Sequence, residues 1–175
     1  QAARLAGARW VAVVDPIERR RDAALRHGAD LALNPVDVDA GVEIKELTEK
    51  AGVEIAFETS GAYPAFEDAL RSVCYAGTVV STAYYHGSQG VHLAGEWHRN
   101  RIHVISSRAN SQPMPQPNWT FDRIRDESLA LLVEKRLNVD GLIDPIVPFS
   151  QAATAYHEIN EHPDRSIKLG VDHQL

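Results

Sequence analysis

Asp15 ends the apolar run "VAVVD" and opens "PIERRRDAA", a stretch with helical spacing. An acid at that junction has two uses. In a dinucleotide-binding sheet it accepts hydrogen bonds from the hydroxyls of an adenosine ribose and repels a 2′-phosphate. It can equally cap the helix, because Asp15, Pro16 and Glu18 spell a capping box, with the proline in its favoured first-turn position. The stretch alone leaves both readings open. Arg19, Arg20 and Arg21 follow. Successive helical residues point about 100° apart, so only one or two of the three can face a ligand.

Other reactive chemistry is sparse. His86, His92, His98 and His103 come at spacings of six, six and five, with Glu96 nearby, and no pair has the i, i+4 spacing of a helical zinc motif. These histidines read as solvated loop residues. Cys74 is the single cysteine, so neither a disulfide framework nor a C-x-x-C metal pair is expected. There is no G-x-S-x-G elbow. The residues supply neither a catalytic group nor a metal site.

Bulk composition narrows the partners. The 175 residues carry a net charge of −6 and a pI near 5.7, which disfavours nucleic acid, since phosphate neutralisation needs a basic footprint. With 44% hydrophobic and 24% charged residues the chain reads as an ordinary globular protein. No stretch approaches the ~20 apolar residues of a membrane span. A lone cysteine fits a reducing, cytoplasmic setting.

Periodicity places these residues. The opening "QAARLAGA" reads as a helix ended by Gly7, followed by a strand over 10–14, a helix over 17–27 closed by Gly28, and a strand over 31–33. The alternation continues with a helix over 41–50, a strand over 53–58, a helix over 63–75 and a strand over 78–83. A loop over 84–99 leads to a strand over 101–107. The proline-rich 108–118 is the candidate boundary, giving domains 1–107 and 108–175. Beyond it a helix over 121–136, a strand over 142–147, a helix capped by Ser150 and a strand over 167–171 are expected.

Helices alternating with strands in this way specify an α/β fold, a Rossmann-like doubly wound parallel sheet. Ligands of such sheets bind beyond the carboxyl ends of the strands. The residues found there are Asp15, then Thr59, Ser60 and Gly61, then Thr82 and Ala83, then Ser106 and Ser107. Small and hydroxyl side chains leave room for a flat ligand, and they also make good turns. The phosphate-binding G-x-G-x-x-G should lie about 20 residues before the ribose acid. Counting back from Asp15 passes Gln1, so the first strand and glycine loop are expected upstream, and the sheet as given is truncated.

The segments "AARLAGARWVAVVDPIERRRDAALRHGAD", "FETSGA", "AGTVVSTAYYHG", "NRIHVISS" and "LIDPIVPFSQAATAYHEINEHPDRSIKLGVD" together resemble the C-terminal, cofactor-binding portion of the medium-chain dehydrogenase/reductase family, of the zinc-type alcohol, sorbitol and threonine dehydrogenase kind. The resemblance implies NAD as cofactor, with NADP disfavoured by Asp15. It implies an alcohol or carbonyl substrate, and a full-length homo-oligomeric protein with zinc in a catalytic domain to which the C-terminal segment returns. It matches Asp15 to the ribose acid, Arg20 to a basic residue along the same ribose, and Thr59, Ser60 and Gly61 to the turn on the adenine and nicotinamide-ribose side. Thr82 and Ala83 match the carboxamide contacts, Ser106 and Ser107 the cleft rim, and Lys168 a pyrophosphate contact. The chain by itself is expected to be inactive. A non-catalytic Rossmann-like module and a methyltransferase sheet are the alternatives; the closing "VPF" and "RSIKLGV" favour the dehydrogenase.

Overall fold

The computed structural model describes residues 1–108 and 118–174. The chain forms two compact units, residues 1–37 with 127–175, and residues 38–126. The proline-rich connector expected as a boundary falls largely outside the described residues.

In the first unit, helix α1 (Ala2–Leu5) leads to strand β1 (Ala12–Val14), helix α2 (Glu18–Arg26) and strand β2 (Leu31–Leu33). β1 and β2 pair in parallel, Val13 opposite Ala32. The turn between α2 and β2 is a Schellman motif: the Gly28 N–H donates to the Leu25 carbonyl and the Ala29 N–H to that of Ala24. That geometry puts Gly28 at φ +98°, a conformation glycine adopts without a Cβ penalty. Asp30, directly before β2, also ties the start of that strand to the start of β1. Its carboxylate accepts the Val11 N–H at 2.8 Å and the guanidinium of Arg4.

In the second unit, helix α3 (Ala40–Leu47) is capped by Asp39, whose side chain accepts the Val42 N–H at 3.0 Å. Strand β3 (Val53–Glu58), helix α4 (Tyr63–Ser72), strand β4 (Val73–Ser81), helix α5 (Glu96–Asn100) and strand β5 (His103–Ser106) follow. β3, β4 and β5 form one parallel ladder in that order. Its core is Leu70, Val73, Val79 and Ile102, with Phe66, Ala69 and Trp97 packed against them.

Helix α6 (Phe121–Val133) carries the chain back to the first unit. There strand β6 (Ile146–Pro148), helix α7 (Ala152–Glu161) and strand β7 (Gly170–Asp172) complete it, β6 and β7 paired in parallel. The parallel ladders and alternating helices are those of an α/β, Rossmann-like fold.

Four local expectations are corrected. The helix begun at Tyr63 ends three residues early, because β-branched, fully buried Val73 pairs with Val53 and opens β4. The 84–99 loop contains the start of α5. Ser150 is not an N-cap: Pro148 starts a 3₁₀ turn over Phe149–Gln151, and α7 begins only after it. Nor do Asp15 and Glu18 form a capping box, since the residue before the helix is Ile17, in an extended conformation with no side-chain cap.

Candidate functional site

At the end of β1 the Asp15 N–H donates to the Leu33 carbonyl at 3.1 Å, which extends the ladder and fixes the residue's backbone. Its Oδ1 accepts the Ile17 N–H at 2.8 Å, closing an Asx turn around Pro16. This turn replaces the capping box, and it engages one carboxylate oxygen. The other, Oδ2, faces the Arg20 guanidinium at 4.0 Å, beyond hydrogen-bond length. The side chain is about a quarter exposed. A hydroxyl pair could therefore dock on an oxygen that the fold leaves open.

The three arginines part ways. Arg19 bonds the Asp144 carboxylate and donates to the Arg165 carbonyl at 3.2 Å, so it belongs to the packing of α2 on the C-terminal segment. Arg21 donates to the Asp15 carbonyl at 2.8 Å. Only Arg20 stands beside the Asp15 carboxylate. Lys168 is held through its backbone, its carbonyl accepting the Asp144 N–H at 2.7 Å, and its side chain is exposed.

In the second unit the strand ends align. Glu58, Ser81 and Ser106 lie side by side at the carboxyl ends of β3, β4 and β5. Thr59, Ser60 and Gly61, Thr82 and Ala83, and Ser107 therefore all leave one end of one ladder. The Thr82 N–H and hydroxyl both donate to the Glu58 carbonyl, at 2.9 and 3.1 Å, and the Ser107 N–H donates to Ser81 at 2.8 Å. Ser60 uses its hydroxyl within the turn, donating to Glu58 and accepting the Ala62 N–H at 3.1 Å.

Glu58 was not among the residues singled out from sequence, although it stands in "FETSGA" directly before the turn. It is 3% exposed, and its carboxylate gathers the Ser60 N–H at 2.7 Å, the Ser60 hydroxyl at 2.5 Å, the Gly61 N–H at 3.2 Å and the Tyr85 phenol. Burial pushes its pKa up, but these donors outweigh burial and hold it below the usual glutamate value. Tyr85 is pushed up to about 12, first by burial and then by the Glu58 carboxylate it serves. The acid before a Thr-Ser-Gly turn was the available signal. Its tyrosine partner, 27 residues on, had none.

A family model described as zinc-binding dehydrogenase matches residues 1–121. The chain belongs to the zinc-binding dehydrogenase family. Among its relatives is the D-guloside 3-dehydrogenase of Escherichia coli strain K12, 43% identical over 174 residues, covering 98% of this chain and 50% of that protein. The L-threonine 3-dehydrogenase of Thermococcus kodakarensis is 30% identical over 144 residues, covering 71% of this chain and 41% of that protein. The chain spans about half the length of the curated relatives it matches. The solved benzyl alcohol dehydrogenase of Acinetobacter calcoaceticus superposes with a TM-score of 0.80 at 19% identity, over 97% of this chain and 44% of that one, which is a likeness of fold. The resemblance to the medium-chain dehydrogenases is thus upheld.

Zinc, which the family's description implies, finds no donor set here: among the described residues no three His, Cys, Asp or Glu side chains converge. Among the same residues, no helix is long and apolar enough to cross a membrane.

Proposed function

We propose that this chain is the cofactor-binding portion of an NAD-dependent oxidoreductase that moves a hydride between nicotinamide and an alcohol or carbonyl carbon. The observation that carries the reading is the Asp15 carboxylate, whose Oδ1 is spent on the Asx turn and whose Oδ2 is open beside Arg20. Such an acid accepts both ribose hydroxyls and repels a 2′-phosphate, which favours NAD over NADP. The cofactor supplies the hydride chemistry; the protein's part is to bind and orient it.

In the first unit Arg20 lies along the ribose and Lys168 offers a point charge to the pyrophosphate. In the second unit, taken by itself, Thr59, Ser60, Gly61, Thr82, Ala83, Ser106 and Ser107 are the proposed cofactor contacts, mainly through backbone groups where hydroxyls are already engaged. From the D-guloside relative we extend to this chain a sugar hydroxyl as the site of oxidation. We further propose that the full-length protein is a cytoplasmic homo-oligomer and that the 175 residues alone are inactive.

The test is reduction of NAD by the full-length protein on a panel of glycosides and polyols, followed by the near-ultraviolet absorbance of reduced nicotinamide. Sugar-dependent reduction of NAD, with NADP at least about tenfold poorer, is expected. Nucleotide binding without turnover on any alcohol would instead favour a non-catalytic module.

A further inference from the structure

The turn Thr59–Gly61 is shaped by a buried side chain rather than by the ladder. The Glu58 carboxylate takes donors from the turn on Oε1 and the Tyr85 phenol on Oε2, with the Gly61 N–H shared between the two oxygens at 3.2 Å each. The Tyr85 oxygen in turn accepts the Ser81 hydroxyl at 3.3 Å. These donors are all neutral, so the buried charge is held by geometry alone. Losing one donor leaves an anionic lone pair unsatisfied, which is costlier than losing an ordinary hydrogen bond.

Packing does not account for the phenol. The Tyr85 ring sits 5.5 Å from Tyr63 and 5.7 Å, edge-on, from Phe66. A phenylalanine would make the same contacts. The hydroxyl's partners are Glu58 and Ser81, and through Glu58 it reaches the turn.

We propose that Glu58 and Tyr85 are positioning residues that hold the turn Thr59–Gly61 in its ligand-binding form before the cofactor arrives. This rests on the reading that the turn meets the nicotinamide cofactor. Its consequence is a preformed turn, so that binding does not have to order it.

The experiment uses the full-length protein and its Tyr85→Phe, Glu58→Gln and double variants, each measured for NAD affinity by calorimetry and for separate KM values. Tyr85→Phe is expected to raise the Kd and KM for NAD about tenfold, the size of a lost hydrogen bond to a charged group, while the KM for the alcohol stays within about twofold. The double variant is expected to lose no more NAD affinity than Glu58→Gln alone, because Tyr85 acts through Glu58. A Tyr85→Phe protein that melts earlier yet binds NAD as the parent does would overturn the proposal, and so would additive losses. Amide exchange on the unsubstituted protein gives a readout free of variant folding: the Ser60 and Gly61 N–H groups are expected to be protected without NAD, and protection only after NAD is added would sink the idea. A parent that binds no NAD overturns the cofactor reading and this inference together; a parent that binds it equally with and without the Tyr85 hydroxyl overturns the inference alone.

Discussion

A Cβ placed on Gly61 would stand 2.5 Å from the carbonyl oxygen of Tyr84. The position is closed twice over, since Gly61 also adopts φ +76°. At Gly28 the φ is equally positive, +98°, yet nothing lies within 4 Å of the same imagined atom. The two glycines thus separate backbone strain from steric exclusion. Gly28→Ala is expected to cost about 1 kcal/mol, the strain of a left-handed alanine. Gly61→Ala adds a backbone collision to that strain, and should cost at least ~2–3 kcal/mol and weaken NAD binding besides. Urea unfolding of the full-length variants, paired with NAD titration, checks both.

Asp15 and Arg19 make a second contrast, between an oxygen left open and a guanidinium already engaged. Asp15→Ala is expected to weaken NAD binding about tenfold or more, the loss of charge-assisted bonds to ribose, and to narrow the preference over NADP. Arg19→Ala should leave NAD affinity unchanged, because its guanidinium bonds Asp144 and the Arg165 carbonyl. Its exposed ion pair contributes only ~0–1 kcal/mol to stability. Calorimetry with NAD and NADP on both variants decides. A larger loss of NAD affinity at Arg19 than at Asp15 would reverse the assignment.

Much of the scaffold is legible because it is local. Strand β2 over Leu31–Leu33, stopped by Asn34 and Pro35, and the Gly28 terminus are written in adjacent residues. The candidate site is legible only as positions. That Asp15, Thr59 and Thr82 follow strands is a matter of order along the chain. Which Asp15 oxygen is free depends on an Asx turn that a capping box mimics in sequence. The importance of Glu58 depends on Tyr85, brought to it by the β3–β4 pairing and invisible to any local pattern. Likewise the end of α4 was set by Val73 pairing with Val53, a tertiary choice that overrode helical spacing.

The second unit's core is small and concentrated on few side chains. Val73 and Val79 are both fully buried, on the strand that pairs with neighbours at either side. Val79→Ala removes two methyl groups from a site that cannot refill, and is expected to cost about 2 kcal/mol. Val36, 79% exposed, should tolerate the same change within ~0.5 kcal/mol. Thermal melts of the two variants make the comparison; equal shifts would mean that the β4 core does not limit stability.

The Glu58 network also sets a sign for pH dependence. Its folded pKa lies below the ordinary glutamate value, so the unfolded chain binds the proton more readily. Its contribution is therefore fully present above the unfolded pKa and is lost as the pH falls through the folded one, in the acid range. Asp30 and Asp39 are also lowered, the first chiefly by the Val11 N–H and the second by Arg71, and they steepen the same acid limb. Asp68 acts oppositely, since burial raises its pKa and its ionisation opposes folding. Glu58→Gln removes one titrating proton, and should flatten the acid limb by up to ~1.4 kcal/mol per pH unit within that window. Denaturant melts of the full-length protein and this variant, from neutral pH downwards, measure the difference. An unchanged slope would mean that Glu58 ionises alike in the folded and unfolded chain.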